Sequence, residues 1–232
     1  MEIQKLAIKR LAGIMLLLVL GIFGGPTQSL GQGTDSSLNQ VMIETNLGEI
    51  VLVLDPEKAP VTVENFLSYV DQQGYDGTIF HRVIPGFMIQ AGGHFEDLSE
   101  SPSRPPIKNE ADNGLSNRIG TIAMARLSDI DSASNQFFIN TANNARLDHG
   151  PKSCSREEEA KIAALRARGL MKPKRCKSFG YAVFGEVIRG LEVVRRIESL
   201  ETGMRNGFSD VPLEAVKIIT IRRVAHEKVF NP

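Results

Sequence analysis

Short apolar runs divide the central part of the chain, and this division limits the fold more than any other feature. Between residues 75 and 150 the runs TIFHRVI, FMIQAG, TIAMA and QFFIN are separated by clusters of Gly, Pro, Asn, Asp and Ser. Short strands bounded by turn residues are typical of β-sandwiches and β-barrels. We therefore predict a mainly β chain and interpret this region as a β-barrel.

The segments on either side of this region fit the same interpretation. Two apolar runs, 41–45 and 49–54, flank a Gly-containing turn and predict a hairpin. Pro60 then supplies helix-start chemistry, and a helix with an apolar face should end near Gly74. The residues of that apolar face are Val63, Phe66, Leu67 and Val70.

The C-terminal third of the chain repeats this mixture of strands and helices. The segment FGYAVFGEVI predicts a strand, residues 191–199 predict a second helix, and the alternating run 215–224 predicts the strand that completes the sheet. No internal repeat is present in the sequence. We expect one domain over residues 41–232, preceded by a flexible lead-in over residues 32–40.

The first 31 residues have the layout of a secretory signal peptide. Three basic residues precede an apolar run over residues 11–23, and small and polar residues follow. The run is shorter than the roughly 20 residues that cross a bilayer core. We predict a signal peptide over residues 1–31, cleaved before Gln32, with Gly24-Gly25 as a second site. The expected location is the periplasm, without stable membrane insertion after cleavage, and the alternative is a retained inner-membrane anchor.

The charges of the chain are balanced, with 27 Lys and Arg against 27 Asp and Glu. No overall field would attract nucleic acid or an acidic membrane surface. Nucleic acid is therefore not an expected partner.

Residues 151–178 interrupt the β pattern with a charged, Ala-rich segment. Ser155 as a cap, acids in the first turn and Arg residues before Gly169 predict a helix of about 14 residues. Cys154 and Cys176 flank this helix, and a disulfide between them is feasible in an oxidising compartment. The hypothesis is a stapled, exposed helix that binds a partner; the alternative is a solvated loop with reduced cysteines.

The run FHRVIPGFMIQAGG contains the most informative combination of side chains. It places Arg82, an adjacent apolar pair and Gln90 within nine residues. A Pro-Gly turn between them can reverse the chain, so that Arg82, Met88 and Gln90 share one face of a sheet.

This run resembles the central motif of the cyclophilins. The resemblance continues through IAMAR at 122–126, SNQFFIN at 134–140 and FGYAVFG at 179–185, and it covers about residues 40–225. It implies a peptidyl-prolyl cis-trans isomerase of the bacterial periplasmic type that needs no cofactor or metal. The implied fold is a closed eight-stranded antiparallel β-barrel capped by two α-helices, to which this chain adds the helical insertion.

The resemblance also implies the roles of individual residues. Arg82 corresponds to the catalytic arginine, and Gln90 to a polar group that assists it. The implied substrate-binding residues are Phe87, Met88, Ala125, Arg126, Gln136, Phe138 and Leu147. For His81 we expect a structural hydrogen bond, because isomerisation moves no proton.

The chemistry of rotation about an X-Pro bond explains how an arginine beside an apolar pocket would catalyse isomerisation. A guanidinium that donates to the prolyl nitrogen stabilises the lone pair that appears only when amide resonance is lost. The expected partners are proline-containing polypeptides, the exported proteins whose folding the enzyme assists. The alternative function is a proline-binding chaperone or interaction module with little turnover.

One departure from the family concerns the pocket. Many eukaryotic cyclophilins carry a tryptophan before the pocket leucine, whereas Arg146 precedes Leu147 here and the chain has no Trp. The missing indole donor predicts weak cyclosporin binding. We also expect a monomer.

Overall fold

The computed structural model describes residues 39–170 and 177–224, and antiparallel strands dominate them. Eight strands form the main sheet in the order β10-β1-β2-β7-β5-β6-β4-β3, and β8 and β9 form a separate hairpin. The strands are β1 (Gln40–Thr45), β2 (Gly48–Leu54), β3 (Phe80–Ile84), β4 (Met88–Ala91), β5 (Thr121–Met124), β6 (Phe137–Asn140), β7 (Val183–Arg189), β8 (Thr202–Arg205), β9 (Phe208–Pro212) and β10 (Ile218–Arg223). The helices are α1 (Pro60–Asp71), α2 (Arg156–Ala167) and α3 (Leu191–Glu198).

The sheet is a strongly curled half-barrel, so the prediction of a closed barrel was wrong. Its edge strands are β3 and β10, and they are not paired with each other. Just before these strands, Ile79 and Lys217 form one isolated antiparallel bridge. The contact between the two edges is limited to this region, and β9 of the β8–β9 hairpin packs close to β3 instead.

The main core lies between α1 and the concave face of the sheet. The ring of Phe66 on α1 contacts Tyr75, Phe137 and Phe184 at centroid distances of 5.3, 5.5 and 5.2 Å. Offset and edge-on ring packing at such distances adds to the free energy of burial. The predicted apolar face of α1 is confirmed, since all four of its residues are buried.

Most local predictions match the elements observed. The β1–β2 hairpin pairs Gln40–Thr45 with Gly48–Val53, and α3 agrees with the helix predicted over residues 191–199. The β8–β9 hairpin was not predicted. Its strands are largely exposed and lack a clear alternation of apolar and polar residues, so the usual strand signal is weak there.

The helix predicted in the insertion is α2, and it is fixed to the rest of the domain. Ser155 and Glu158 form a reciprocal capping box at its start. The Arg156 guanidinium donates to Asp131 Oδ1 at 2.8 Å and to the Asn109 carbonyl at 2.6 Å. Glu159 is only 3% exposed and accepts a hydrogen bond from the Phe179 backbone N–H. These contacts set the position of α2 beside the sheet.

The two ends of the insertion are also joined by backbone hydrogen bonds. Cys154 N–H donates to the Lys177 carbonyl at 2.7 Å, and Lys177 N–H donates to the Lys152 carbonyl at 2.8 Å. Cys154 is fully buried and disulfide-bonded. Cys176 lies outside the described residues, as do the predicted signal peptide and most of the lead-in. In the part of the chain that the structure describes, no helix has the length and apolarity needed to span a membrane.

Candidate active site

A second apolar cluster lies on the convex face of the sheet, separate from the main core. Strand alternation creates it, because successive side chains point to opposite faces. On β6, Phe137 and Ile139 join the main core, whereas Phe138 between them joins the second cluster. The buried members of this cluster are Met88, Ala123, Phe138 and Val183, and the partly buried ones are Ile84, Phe87, Leu115, Ala125, Leu147 and Tyr181.

Two loops hold the exposed rim of this apolar cluster. Phe87 follows the tight turn between β3 and β4, and its carbonyl accepts hydrogen bonds from Thr141 N–H at 3.0 Å and Asn144 Nδ2 at 2.8 Å. Leu147 ends a short 3₁₀ helix, Ala145–Leu147. Arg146 extends its guanidinium over the Phe87 ring at 4.2 Å from the centroid. A cation therefore lies against the pocket at the position where the family resemblance implies an indole.

The turn that places Phe87 is itself held by α3. Gly86 has a φ of +69° and donates its N–H to Glu198 Oε1 at 2.7 Å. Burial alone would raise the pKa of Glu198, but hydrogen bonds from the Arg195 guanidinium and the Gly86 N–H help to hold the pKa below its ordinary value. The turn is therefore anchored by an ionised carboxylate.

A row of polar side chains borders the pocket. Arg82 and Gln90 are direct partners in the β3–β4 ladder. Arg82 Nη1 lies 3.5 Å from Gln90 Oε1, and Gln90 Nε2 donates to Gln136 Oε1 at 2.8 Å. On its other side, Arg82 Nε lies 3.6 Å from Asp210 Oδ2, and both side chains are about 40% exposed. The guanidinium is thus held in place while its remaining donors stay accessible.

His81 precedes Arg82 on β3 and is only 4% exposed. Its ring packs edge-on against His94 with a centroid distance of 4.5 Å. Burial lowers the pKa of His81 to about 4, and the charges of His94 and Arg82 act in the same direction. The imidazole is therefore neutral at neutral pH.

The segment 125–126 connects the pocket to the neighbouring loop. Ala125 N–H donates to the Gln136 carbonyl at 2.9 Å. The Arg126 guanidinium donates to Ser178 Oγ at 2.6 Å and to the Gly180 carbonyl at 3.1 Å, so its side chain supports the loop. Next to these residues is a cavity of about 280 Å³ that Gln90, Gln136, Ala125 and Arg126 help to line.

The structure brings the predicted site residues together into one continuous region. Phe87, Met88, Ala125, Phe138 and Leu147 belong to the apolar cluster, while Arg82, Gln90, Gln136 and Arg126 lie along its polar side. Two neighbours were not among the predicted site residues. Tyr181 packs edge-on against Phe138 at 5.8 Å, and its place in the FGYAVFG motif was the available signal. Asp210 had no signal, because its approach to Arg82 depends on a hairpin distant in sequence.

A metal site requires several ligating side chains close together. In residues 39–170 and 177–224, no group of three or more His, Cys, Asp and Glu side chains could hold a metal ion. The site described here consists of the guanidinium groups of Arg82 and Arg126, two amides and an apolar cluster.

Comparisons with known proteins identify the family of this chain. Residues 40–223 match the model of the family described as "Cyclophilin type peptidyl-prolyl cis-trans isomerase/CLD". The chain is 46% identical over 178 residues to a peptidyl-prolyl cis-trans isomerase A of Dickeya dadantii (strain 3937), a match that covers 77% of this chain and 80% of the relative. It is 41% identical over 181 residues to peptidyl-prolyl cis-trans isomerase B of Escherichia coli (strain K12), covering 78% of this chain and 97% of the relative.

A solved structure supports the fold by itself. The crystal structure of a Cryptosporidium parvum cyclophilin type peptidyl-prolyl cis-trans isomerase superposes with a TM-score of 0.57 at 23% identity, and the match covers 84% of this chain and 99% of that one. That structure shows the fold alone, whereas the family model and the bacterial relatives show the family. This chain belongs to the family of cyclophilin type peptidyl-prolyl cis-trans isomerases.

Proposed function

We propose that this chain catalyses cis-trans isomerisation of X-Pro peptide bonds at the region bordered by Arg82, Gln90 and Phe138. One observation carries this proposal: a half-exposed guanidinium is held by Gln90 at the edge of an apolar cluster whose rim residues, such as Phe87 and Leu147, are partly exposed. The proline ring would enter the pocket beside Met88 and Phe138. Arg82 would then donate to the prolyl nitrogen as the peptide bond twists.

The energetics of the reaction explain why both parts are needed. Rotation about a peptide bond must cross a barrier of about 18–20 kcal/mol. An uncatalysed step of tens to hundreds of seconds needs a barrier reduction of roughly 5–7 kcal/mol to reach milliseconds. One charge-assisted hydrogen bond contributes about 1.5–3 kcal/mol. The pocket must supply the remainder by desolvating and orienting the proline.

The test is a protease-coupled isomerase assay on a short X-Pro peptide. We expect Arg82→Ala to lower kcat/KM by roughly 100-fold, as removal of a transition-state donor does elsewhere. Arg189→Ala is a matched control, because this exposed arginine on β7 pairs with Glu49 and not with the polar row. If the wild-type protein is inactive but still binds proline peptides, the isomerase function is contradicted. The protein would then be a proline-binding chaperone or interaction module.

We further propose that the protein is of the bacterial periplasmic type and assists the folding of exported proteins. The signal-peptide layout of residues 1–31 supports this, and so does the disulfide at Cys154, because disulfides persist mainly in oxidising compartments. The test is cell fractionation followed by N-terminal sequencing of the purified protein. A periplasmic chain that begins at Gln32 supports the proposal, whereas a cytoplasmic chain that begins at Met1 contradicts it.

We also propose that the protein is a monomer whose partners are its substrates. Light scattering during size-exclusion chromatography tests this, and a mass near 25.5 kDa, or slightly less after signal removal, is expected. A stable dimer would contradict it.

A further inference from the structure

The helical insertion forms one wall of an open groove next to the proposed active site. The groove lies between α2 and the loop 126–132, and its volume is about 830 Å³. Ala163, Arg166 and Ala167 line the α2 side; they are three and four residues apart and therefore share one face of the helix. Leu127 lies on the opposite side, and Tyr181 contributes to the lining as well.

This groove is continuous with the substrate-binding region. Arg126, Leu127 and Ser132 line both the groove and the 280 Å³ cavity beside Gln90 and Gln136. Tyr181 links the groove to the proline pocket, because its ring packs on Phe138. A polypeptide that extends from the proline pocket past Tyr181 therefore enters the groove directly.

Hydrogen bonds within the domain hold both walls of the groove in place. Arg156 and Glu159 fix α2 to the domain through the contacts described above. On the loop side, Ser132 Oγ accepts from Leu127 N–H at 3.0 Å and donates to the Asp129 carbonyl at 2.6 Å. A groove whose walls are already fixed loses less conformational entropy on binding an extended chain than a groove with mobile walls does.

The chemistry of the lining suits a polypeptide of mixed polarity. The side chain at the ridge between the two cavities, Leu127, is 78% exposed and offers apolar surface to both. Arg126 directs its guanidinium to neutral acceptors only, and Arg166 is exposed on α2 without an ion pair in the described part of the chain. The small side chains of Ala163 and Ala167 leave room in the groove for side chains of the bound polypeptide.

We infer that the groove between α2 and the loop 126–132 binds the substrate segment that flanks the isomerised proline on one side. This inference rests on the proposed isomerase function and extends it. The insertion thereby gives the enzyme a preference for long, unfolded polypeptides over short peptides. Its occupant is the substrate chain itself in an extended conformation.

The experiment uses the full chain and three peptides with the same central X-Pro bond. One peptide has four residues, and two have eight residues, extended on the N-terminal or on the C-terminal flank. NMR titration measures affinity, and NMR exchange spectroscopy measures isomerisation. We expect one of the extended peptides, and not the other, to bind about tenfold more tightly than the four-residue peptide, which corresponds to about 1.4 kcal/mol.

Two neighbouring alanines supply a variant and its matched control. Ala163→Trp places an indole in the groove and should abolish the tenfold gain, while the four-residue peptide is isomerised at the wild-type rate. Ala164→Trp makes the same change at an exposed position of α2 that does not line the groove, and it should keep the gain. Activity on the short peptide also shows that both variants are folded.

The outcomes separate this inference from the function on which it rests. Equal affinity of wild-type protein for all three peptides, or a full gain in Ala163→Trp, overturns the groove inference while the isomerase function stands. A wild-type protein that fails to isomerise the four-residue peptide overturns the proposed function.

Discussion

The guanidinium Nε of Arg82 lies 3.6 Å from the carboxylate Oδ2 of Asp210. Arg82 belongs to the edge strand β3, and Asp210 belongs to β9 of the β8–β9 hairpin. Asp210 has a φ of +61°, a conformation that Asp adopts more readily than most residues. The hairpin thus places a negative charge directly beside the proposed catalytic arginine.

This pairing predicts that Asp210 orients Arg82. Asp210→Ala should lower kcat/KM by about fivefold, which is less than Arg82→Ala, because the guanidinium keeps its charge and loses only one of its supports. The free energy of unfolding should change by less than about 1 kcal/mol, since the pair is exposed. The coupled isomerase assay and urea unfolding measure the two effects. Glu214→Ala, an exposed acidic residue nearby in sequence, is the control, and an unchanged kcat/KM in Asp210→Ala would contradict the prediction.

The position of Arg146 over Phe87 leads to a prediction about cyclosporin. Wild-type protein should be inhibited weakly, because a guanidinium occupies the place of an indole donor. Arg146→Trp should increase the affinity at least about tenfold by adding apolar surface and an N–H donor beside the pocket. Inhibition of the isomerase assay measures this. Arg118→Trp, at another exposed position, should have no such effect, and tight inhibition of the wild type would show that the reasoning is incorrect.

The burial of His81 predicts a pH dependence of stability. Its pKa is about 4 in the folded protein, below the ordinary value of 6.5, so the unfolded chain binds more protons between these values. The contribution to stability is complete above pH 6.5 and is lost as the pH falls toward 4. From pH 7 to pH 5 the loss should be about 2 kcal/mol. Urea unfolding at the two pH values measures it, and His81→Gln should remove that part of the slope; an identical slope in the variant would refute the assignment.

Glu110 predicts an effect on stability that is separate from the site. Its carboxylate accepts hydrogen bonds from Val61 N–H at 3.2 Å and from Thr62 N–H at 2.9 Å, and so caps the start of α1. Glu110→Ala should lower the free energy of unfolding by about 1–2 kcal/mol, with little change in kcat/KM. Glu64→Ala, on the exposed side of α1, should cost less than about 0.5 kcal/mol. Equal effects of the two substitutions in urea unfolding would argue against the capping role.

The disulfide at Cys154 predicts both a thiol count and a stability change. We expect its partner to be Cys176, the second cysteine of the chain. Denatured, unreduced protein should then contain no free thiol, and reduced protein should contain two. Closing a loop of this length stabilises a domain by about 3 kcal/mol, so Cys154→Ser should lose roughly that amount. Two free thiols in the unreduced protein would disprove the pairing, and Ser153→Ala is the control for the local change.

Local patterns in the sequence were sufficient for several elements. The apolar face of α1, the β1–β2 hairpin and the Ser155 cap of α2 each depend on residues close together in the chain, so periodicity and capping chemistry predict them. The grouping of Arg82, Met88 and Gln90 was also predictable, because a single turn brings these residues onto one face. Their roles came from family motifs and not from periodicity.

Contacts between distant segments decided the rest. Apart from the β8–β9 hairpin, the sequence by itself determined which strands and helices form and which residues cluster around the β3–β4 turn. The tertiary structure decided that the sheet stays open at β3, that Asp210 approaches Arg82, and that α2 forms one wall of a groove beside Tyr181. The physical reason is that local propensity acts over a few residues, whereas these features depend on how the whole sheet curls and on which segment packs against its edge.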